Sequence, residues 1–112
     1  MMLRKGKNII FFIILLVFFI SIMSSSFSSA PPANGYDWER MPKSEKIAYC
    51  EILIYGMVGI GNPKYNSQQI NAAAKYFTGR INFYYSQHSG NLSIEKAASW
   101  AWPETKNLLD SL

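Results

Sequence analysis

Twelve consecutive residues, Ile9 to Ile20, carry no polar side chain. Ser21 interrupts the run, Ile22 and Met23 close it, and the serine-rich stretch Ser24 to Ser29 leads to Ala30. Arg4, Lys5 and Lys7 stand ahead of it. Basic flank, apolar stretch and small-residue tail, in that order, make an export signal. Residues 1–30 therefore read as a signal peptide or signal anchor, and the fold has to be built from residues 31–112.

Length decides between removal and retention. Ile9 to Met23 is fifteen residues, or roughly 22 Å as a helix at about 1.5 Å per residue. A bilayer core of about 30 Å usually asks for about 20 apolar residues. That shortfall favours cleavage between about Ser26 and Ala30, with release into the periplasm or the cell exterior. The alternative is a retained inner-membrane anchor: Phe27 and the serines stretch the span to Ala30, and Pro31 spoils cleavage directly after Ala30. In either case Arg4, Lys5 and Lys7 mark the cytoplasmic side.

Setting this segment aside changes the meaning of the charge. Residues 1–30 carry +3, whereas residues 31–112 hold eight basic and seven acidic groups and carry +1. The basic residues are scattered among the acids, not gathered into the stripe that a nucleic-acid footprint requires, so no nucleic-acid partner is expected. The remaining residues suffice for one small domain, a size at which stability is marginal. Exported domains of this size often rely on disulfides, but Cys50 is the only cysteine. Twelve Tyr, Trp and Phe residues among residues 31–112 supply large burial areas instead.

Pro31-Pro32-Ala33-Asn34-Gly35 is too rich in breakers to continue a helix, and residues 31–41 read as a linker. Pro42 opens a first long helix reaching about Val58, with Ile47, Cys50, Ile54 and Val58 as its stripe. Ile52 to Val58 is apolar nearly all round, which places that half centrally. Gly56, Gly59, Gly61 and Asn62-Pro63 end it. A second helix starts at Asn66 or Ser67, where Asn66 and Gln69 have capping-box spacing. Its stripe is Ile70, Ala73, Ala74, Phe77, Ile81 and Tyr84, with Asn71, Lys75, Thr78 and Asn82 facing away. Gly79 falls inside it, as for close packing. Ser93 caps a third helix from Ile94 to Ala101, which Pro103 stops; a last short turn carries Leu108, Leu109 and Leu112. No period-two pattern appears, so residues 42–112 are expected to form an all-α domain of three helices, or of three plus a short C-terminal helix.

Trp38, Ser44-Glu45-Lys46, Tyr49 and Gly56 resemble the opening of small exported all-helical proteins of Gram-negative bacteria, most of them uncharacterised. The Phe83-Tyr84 pair and the Ile94, Ala97 segment fit the same pattern, so the resemblance spans Trp38 to Ala98. More distantly the chain is similar to exported helical immunity proteins that neutralise toxins of contact-dependent secretion systems. Those usually carry paired cysteines, where this chain has Cys50 alone.

No catalytic constellation stands out, and the chain does not read as an enzyme. His88 is the only histidine, so a zinc site would need Cys50, His88 and carboxylates from separate segments; no metal and no cofactor are expected. Cys50 lies on an apolar stripe, where a free thiol behaves as a small hydrophobe; an intermolecular disulfide is the alternative. Asp37/Glu39 and Glu45/Glu51 read as solvated charges. Gly56-x-x-Gly59-x-Gly61 follows a helix, not the strand a dinucleotide fingerprint needs. Asn91-Leu92-Ser93 matches a glycosylation acceptor, relevant only in a eukaryotic secretory pathway. Tyr36, Trp38, Trp100 and Trp102 either fill the core or form a partner surface, since Trp and Tyr are enriched at binding hot spots. The functional expectation is a non-catalytic exported module that binds a protein or small ligand. A single-pass accessory subunit of a membrane complex is the alternative, and the membrane is a partner only in that case.

Overall fold

The computed structural model describes residues 30–112, and the signal or anchor reading lies outside them. Among the described residues the protein is all-α, with helices α1 (Gly35–Arg40), α2 (Lys43–Val58), α3 (Ser67–Gln87) and α4 (Ile94–Ser111). None of these helices is long and apolar enough to cross a membrane.

Local capping explains where the helices start. Asn34 accepts from the Asp37 backbone to open α1. Asn66 and Gln69 form the expected box at α3, each side chain bonding the other's backbone N–H at 2.8 Å. The Ser93 side chain accepts from Lys96 N–H at α4. At the far end of α2, Gly59 turns the chain with φ 99°, a conformation only glycine adopts without strain.

The centre of the fold is α3, which packs against both α2 and α4. Its stripe of Ile70, Ala73, Ala74, Phe77, Ile81 and Tyr84 is buried throughout. Because a second helix lies along its flank, three residues expected to face away are also engaged. Asn71 donates to Glu51 Oε2 of α2 at 3.2 Å. Thr78 is buried, donating to Ala74 O at 2.8 Å and lying 3.4 Å from Cys50 Sγ. Asn82 accepts from the Trp38 indole. The second half of α2 is not the centre: Ile52 and Ile54 are buried, but Met57 is exposed.

Three further expectations differ from the structure. The 31–41 segment is more than a linker. It holds α1, and its preceding arm docks on the α3–α4 loop through Gly35 N–H to Gly90 O and Ile94 N–H to Ala33 O. A Cβ at Gly35 would stand 2.5 Å from the Tyr85 ring, so this close approach requires glycine. The third helix does not stop before Pro103 either; α4 runs on to Ser111. Proline removes one helical hydrogen bond, here to Ser99, which is exposed to water. Thr105 and Leu109 beyond it are fully buried, and that packing outweighs a penalty of about 3 kcal/mol. Gly79, by contrast, has no packing role, since a Cβ there would meet nothing within 4 Å.

Candidate functional site

Among the described residues, the outer faces of α3 and α4 carry a cluster of exposed aromatics. Phe83 and Trp100 stack with centroids 6.2 Å apart and planes at 17°, and both are about half open to solvent. The Arg80 guanidinium lies over both rings, 4.4 Å from the Trp100 centroid and 5.4 Å from that of Phe83. Glu104 holds it from α4 through an Nε to Oε2 ion pair of 3.2 Å. That pair is a charge contact without an aligned hydrogen bond, because Nε has no bonding partner of its own. Tyr76 donates to the same carboxylate oxygen at 3.1 Å.

Helical spacing assembles this face. Tyr76, Arg80 and Phe83 are four and three residues apart on α3, and Trp100 and Glu104 are four apart on α4, so each set lies along one side of its helix. Behind Trp100 stands Tyr84, 5.5 Å away, which in turn stacks on His88 at 4.2 Å. The His88 ring Nδ1 donates to Tyr84 O at 2.9 Å, closing the C-terminal end of α3. His88 is thus a capping residue with an occupied nitrogen.

The four aromatics singled out from the sequence take separate places. Trp38 is 1% exposed and belongs to the core. Its indole donates to Asn82 Oδ1 at 2.7 Å, its ring meets Tyr49 edge-on, and Lys46 Nζ lies 5.5 Å above it. Trp102 is half-buried and packs against Phe77 at 5.8 Å. Tyr36 is exposed, with its ring lying over Gly90. Trp100 alone of the four sits in the α3–α4 cluster. Sequence reasoning missed Phe83, Arg80, Tyr76 and Glu104. The available signal was a bulky aromatic, Phe83, one position off the core stripe and one turn from an arginine.

Cys50 is fully buried, and desolvation, partly offset by the Thr78 hydroxyl, pushes its thiol up to about 12. At neutral pH it is a protonated core side chain. Burial likewise raises Tyr49 and Tyr85 to about 12. Among the described residues, no group of three or more His, Cys, Asp or Glu side chains is placed to hold a metal ion.

No family model, curated protein or solved structure matches the chain.

Proposed function

We propose that the domain is a non-catalytic, exported binding module that engages a protein partner through the α3–α4 face. The observation that carries this is the Phe83–Trp100 stack with Arg80 laid across both rings. An exposed cation–π contact contributes only about 0.5–1 kcal/mol to stability, too little to account for keeping two large rings in water. As a binding surface the arrangement makes sense. Trp, Tyr and Arg dominate interface hot spots, and side chains already fixed by stacking and by Glu104 lose less entropy when a partner covers them.

The export part of the reading rests on the basic flank, apolar run and small-residue tail of residues 1–30. Intact mass of the protein in cell fractions decides between release and anchoring. A released domain starts near residues 27–31 and is found in the soluble envelope or external fraction. An anchored one keeps Arg4, Lys5 and Lys7 and requires detergent.

A photo-crosslinking side chain placed at Phe83 in cells expressing the full chain tests the surface. Expected is one protein adduct of defined mass, absent when the same group is placed at exposed Gln68 and lost when Arg80→Ala is added. Equal adducts at both positions, or none at Phe83, would remove the α3–α4 face as the binding site.

A further inference from the structure

On the other flank of α3, a cleft of about 510 Å³ opens toward α2. Lys75, Gly79 and Asn82 line it from α3, with Lys43, Lys46 and Ile47 opposite. These α3 positions are three to four residues apart and form a stripe beside, not within, the one that carries Arg80 and Phe83. The cleft is therefore independent of the aromatic face.

Three observations give it a chemistry. The first is charge. Arg40, Lys64, Arg80 and Lys106 each pair with a carboxylate. Lys43, Lys46 and Lys75 make no ion pair among the described residues, and no acidic side chain lines the cleft. Three lysines without a carboxylate partner line one concavity, the ammonium of Lys46 resting 5.5 Å over the Trp38 ring, and together they raise the local concentration of anions.

The second is the orientation of Asn82. An indole N–H can only donate, so the 2.7 Å bond from Trp38 fixes the amide oxygen of Asn82 on the core side. No hydrogen bond from Nδ2 to another described residue accompanies it, so both Nδ2 hydrogens stay available to a ligand at the cleft that Asn82 lines. The polar groups offered there are thus mainly donors, and the matching ligand is rich in acceptors and negatively charged.

The third is Gly79. It lies inside a 21-residue helix, and a Cβ there would meet no neighbouring atom. Neither packing nor backbone conformation requires glycine, yet it lines the cleft. A missing side chain at such a place lets a ligand approach the backbone closely.

We propose that this cleft binds a phosphate-bearing anion, the phosphate set among Lys43, Lys46, Lys75 and Asn82 Nδ2. The organic part of the ligand lies over Gly79 and Ile47. Lysine suits the role as a compact point charge for phosphate, and the volume falls in the range of small-molecule sites, larger than a bare inorganic ion needs. Two sources share this chemistry, a free phosphate ester and the headgroup of an anionic phospholipid.

Lysine acetylation footprinting of the full chain separates them. The first arm holds the protein in neutral detergent and adds glycerol phosphate; the second places it in phosphatidylcholine nanodiscs with or without phosphatidylglycerol. The proposal expects Lys43, Lys46 and Lys75 to be protected together in at least one arm, while Lys96 on α4 stays reactive. Protection by glycerol phosphate assigns a free ester, and protection only by phosphatidylglycerol assigns a headgroup. Lys75→Gln is expected to weaken protection of the other two lysines by about tenfold, the loss of one charged hydrogen bond. Gly79→Leu should abolish it while every charge remains, with circular dichroism showing that the helices persist. No protection in either arm overturns the proposal. So does a Lys96→Gln variant as impaired as Lys75→Gln, because that result means diffuse electrostatics and not a cleft.

Discussion

Trp38 and Trp100 are built from the same ingredients and end in opposite environments. Each indole has a cation over its ring, Lys46 over Trp38 and Arg80 over Trp100, and each has an aromatic neighbour. Trp38 is 1% exposed and Trp100 40%. The difference lies in what covers them. Trp38 rides on α1, a six-residue helix that is pulled onto the domain by the arm pairing Ala33 and Gly35 with the α3–α4 loop. Its N–H then finds Asn82, forty-four residues away in the chain. Trp100 stands on the outer side of a helix whose other side, with Ala97, Ala98 and Ala101, already faces α3. Arg80, Phe83 and Tyr84 flank it but leave much of the ring open to solvent. Similar local chemistry thus serves as core on one flank and as an open surface on the other.

The sharpest way to break this contrast is to truncate each ring. Trp38→Ala should destabilise the domain by about 3–5 kcal/mol, the range for a fully buried aromatic. Trp100→Ala should cost about 1 kcal/mol or less, as an exposed ring losing a cation–π contact. Chemical denaturation of both variants measures the gap. Equal losses would mean that Trp100 is part of the core, and the argument for a binding face would fall with it.

A smaller effect tests the arm that covers Trp38. Gly35→Ala puts a methyl group 2.5 Å from the Tyr85 ring and 2.9 Å from Gly90 Cα. The expected cost is about 1–3 kcal/mol, typical of overpacking, with increased amide exchange in α1 and unchanged exchange at Trp100. A neutral substitution would show that the arm is not held by this close approach.

The smallest effect lies away from both tryptophans and depends on pH. Lys106, then Tyr65, hold Asp110 down to about 2, with Lys64 adding to the pull. A carboxyl depressed in the folded state contributes stability above its unfolded value of 3.8, and that contribution fades as pH falls toward 2. The melting temperature of Asp110→Asn should therefore lie slightly below that of the parent protein above about pH 5, and the two should converge near pH 2. The effect is small because these groups are exposed to solvent. A difference that grows on acidification would contradict the assignment.

How much of this was legible in the chain depends on the range of the interaction. The Asn66–Gln69 box and the Ser93 cap join residues three positions apart, so the sequence shows them directly. The core stripe of α3 was readable for the same reason, since helical period alone puts Ile70, Phe77 and Ile81 on one side. The aromatic face was only half legible. Trp100 stood out by residue type, but Arg80 and Phe83 gain meaning only once α4 lies beside α3.

The sequence by itself determined the all-α class, the caps of α3 and α4 and the stripe of the central helix, because each rests on backbone geometry within a few residues. Only the tertiary structure decided that Trp38 is core, that α4 passes through Pro103, and that three lysines from two helices ring one cleft. Each of these depends on a partner far along the chain. The Trp38 indole needs Asn82, the helix beyond Pro103 needs the buried Thr105 and Leu109, and Lys43 and Lys46 meet Lys75 only when α2 packs on α3. Burial free energy belongs to the assembled contact, and no local pattern of residue types encodes which distant surface will supply it.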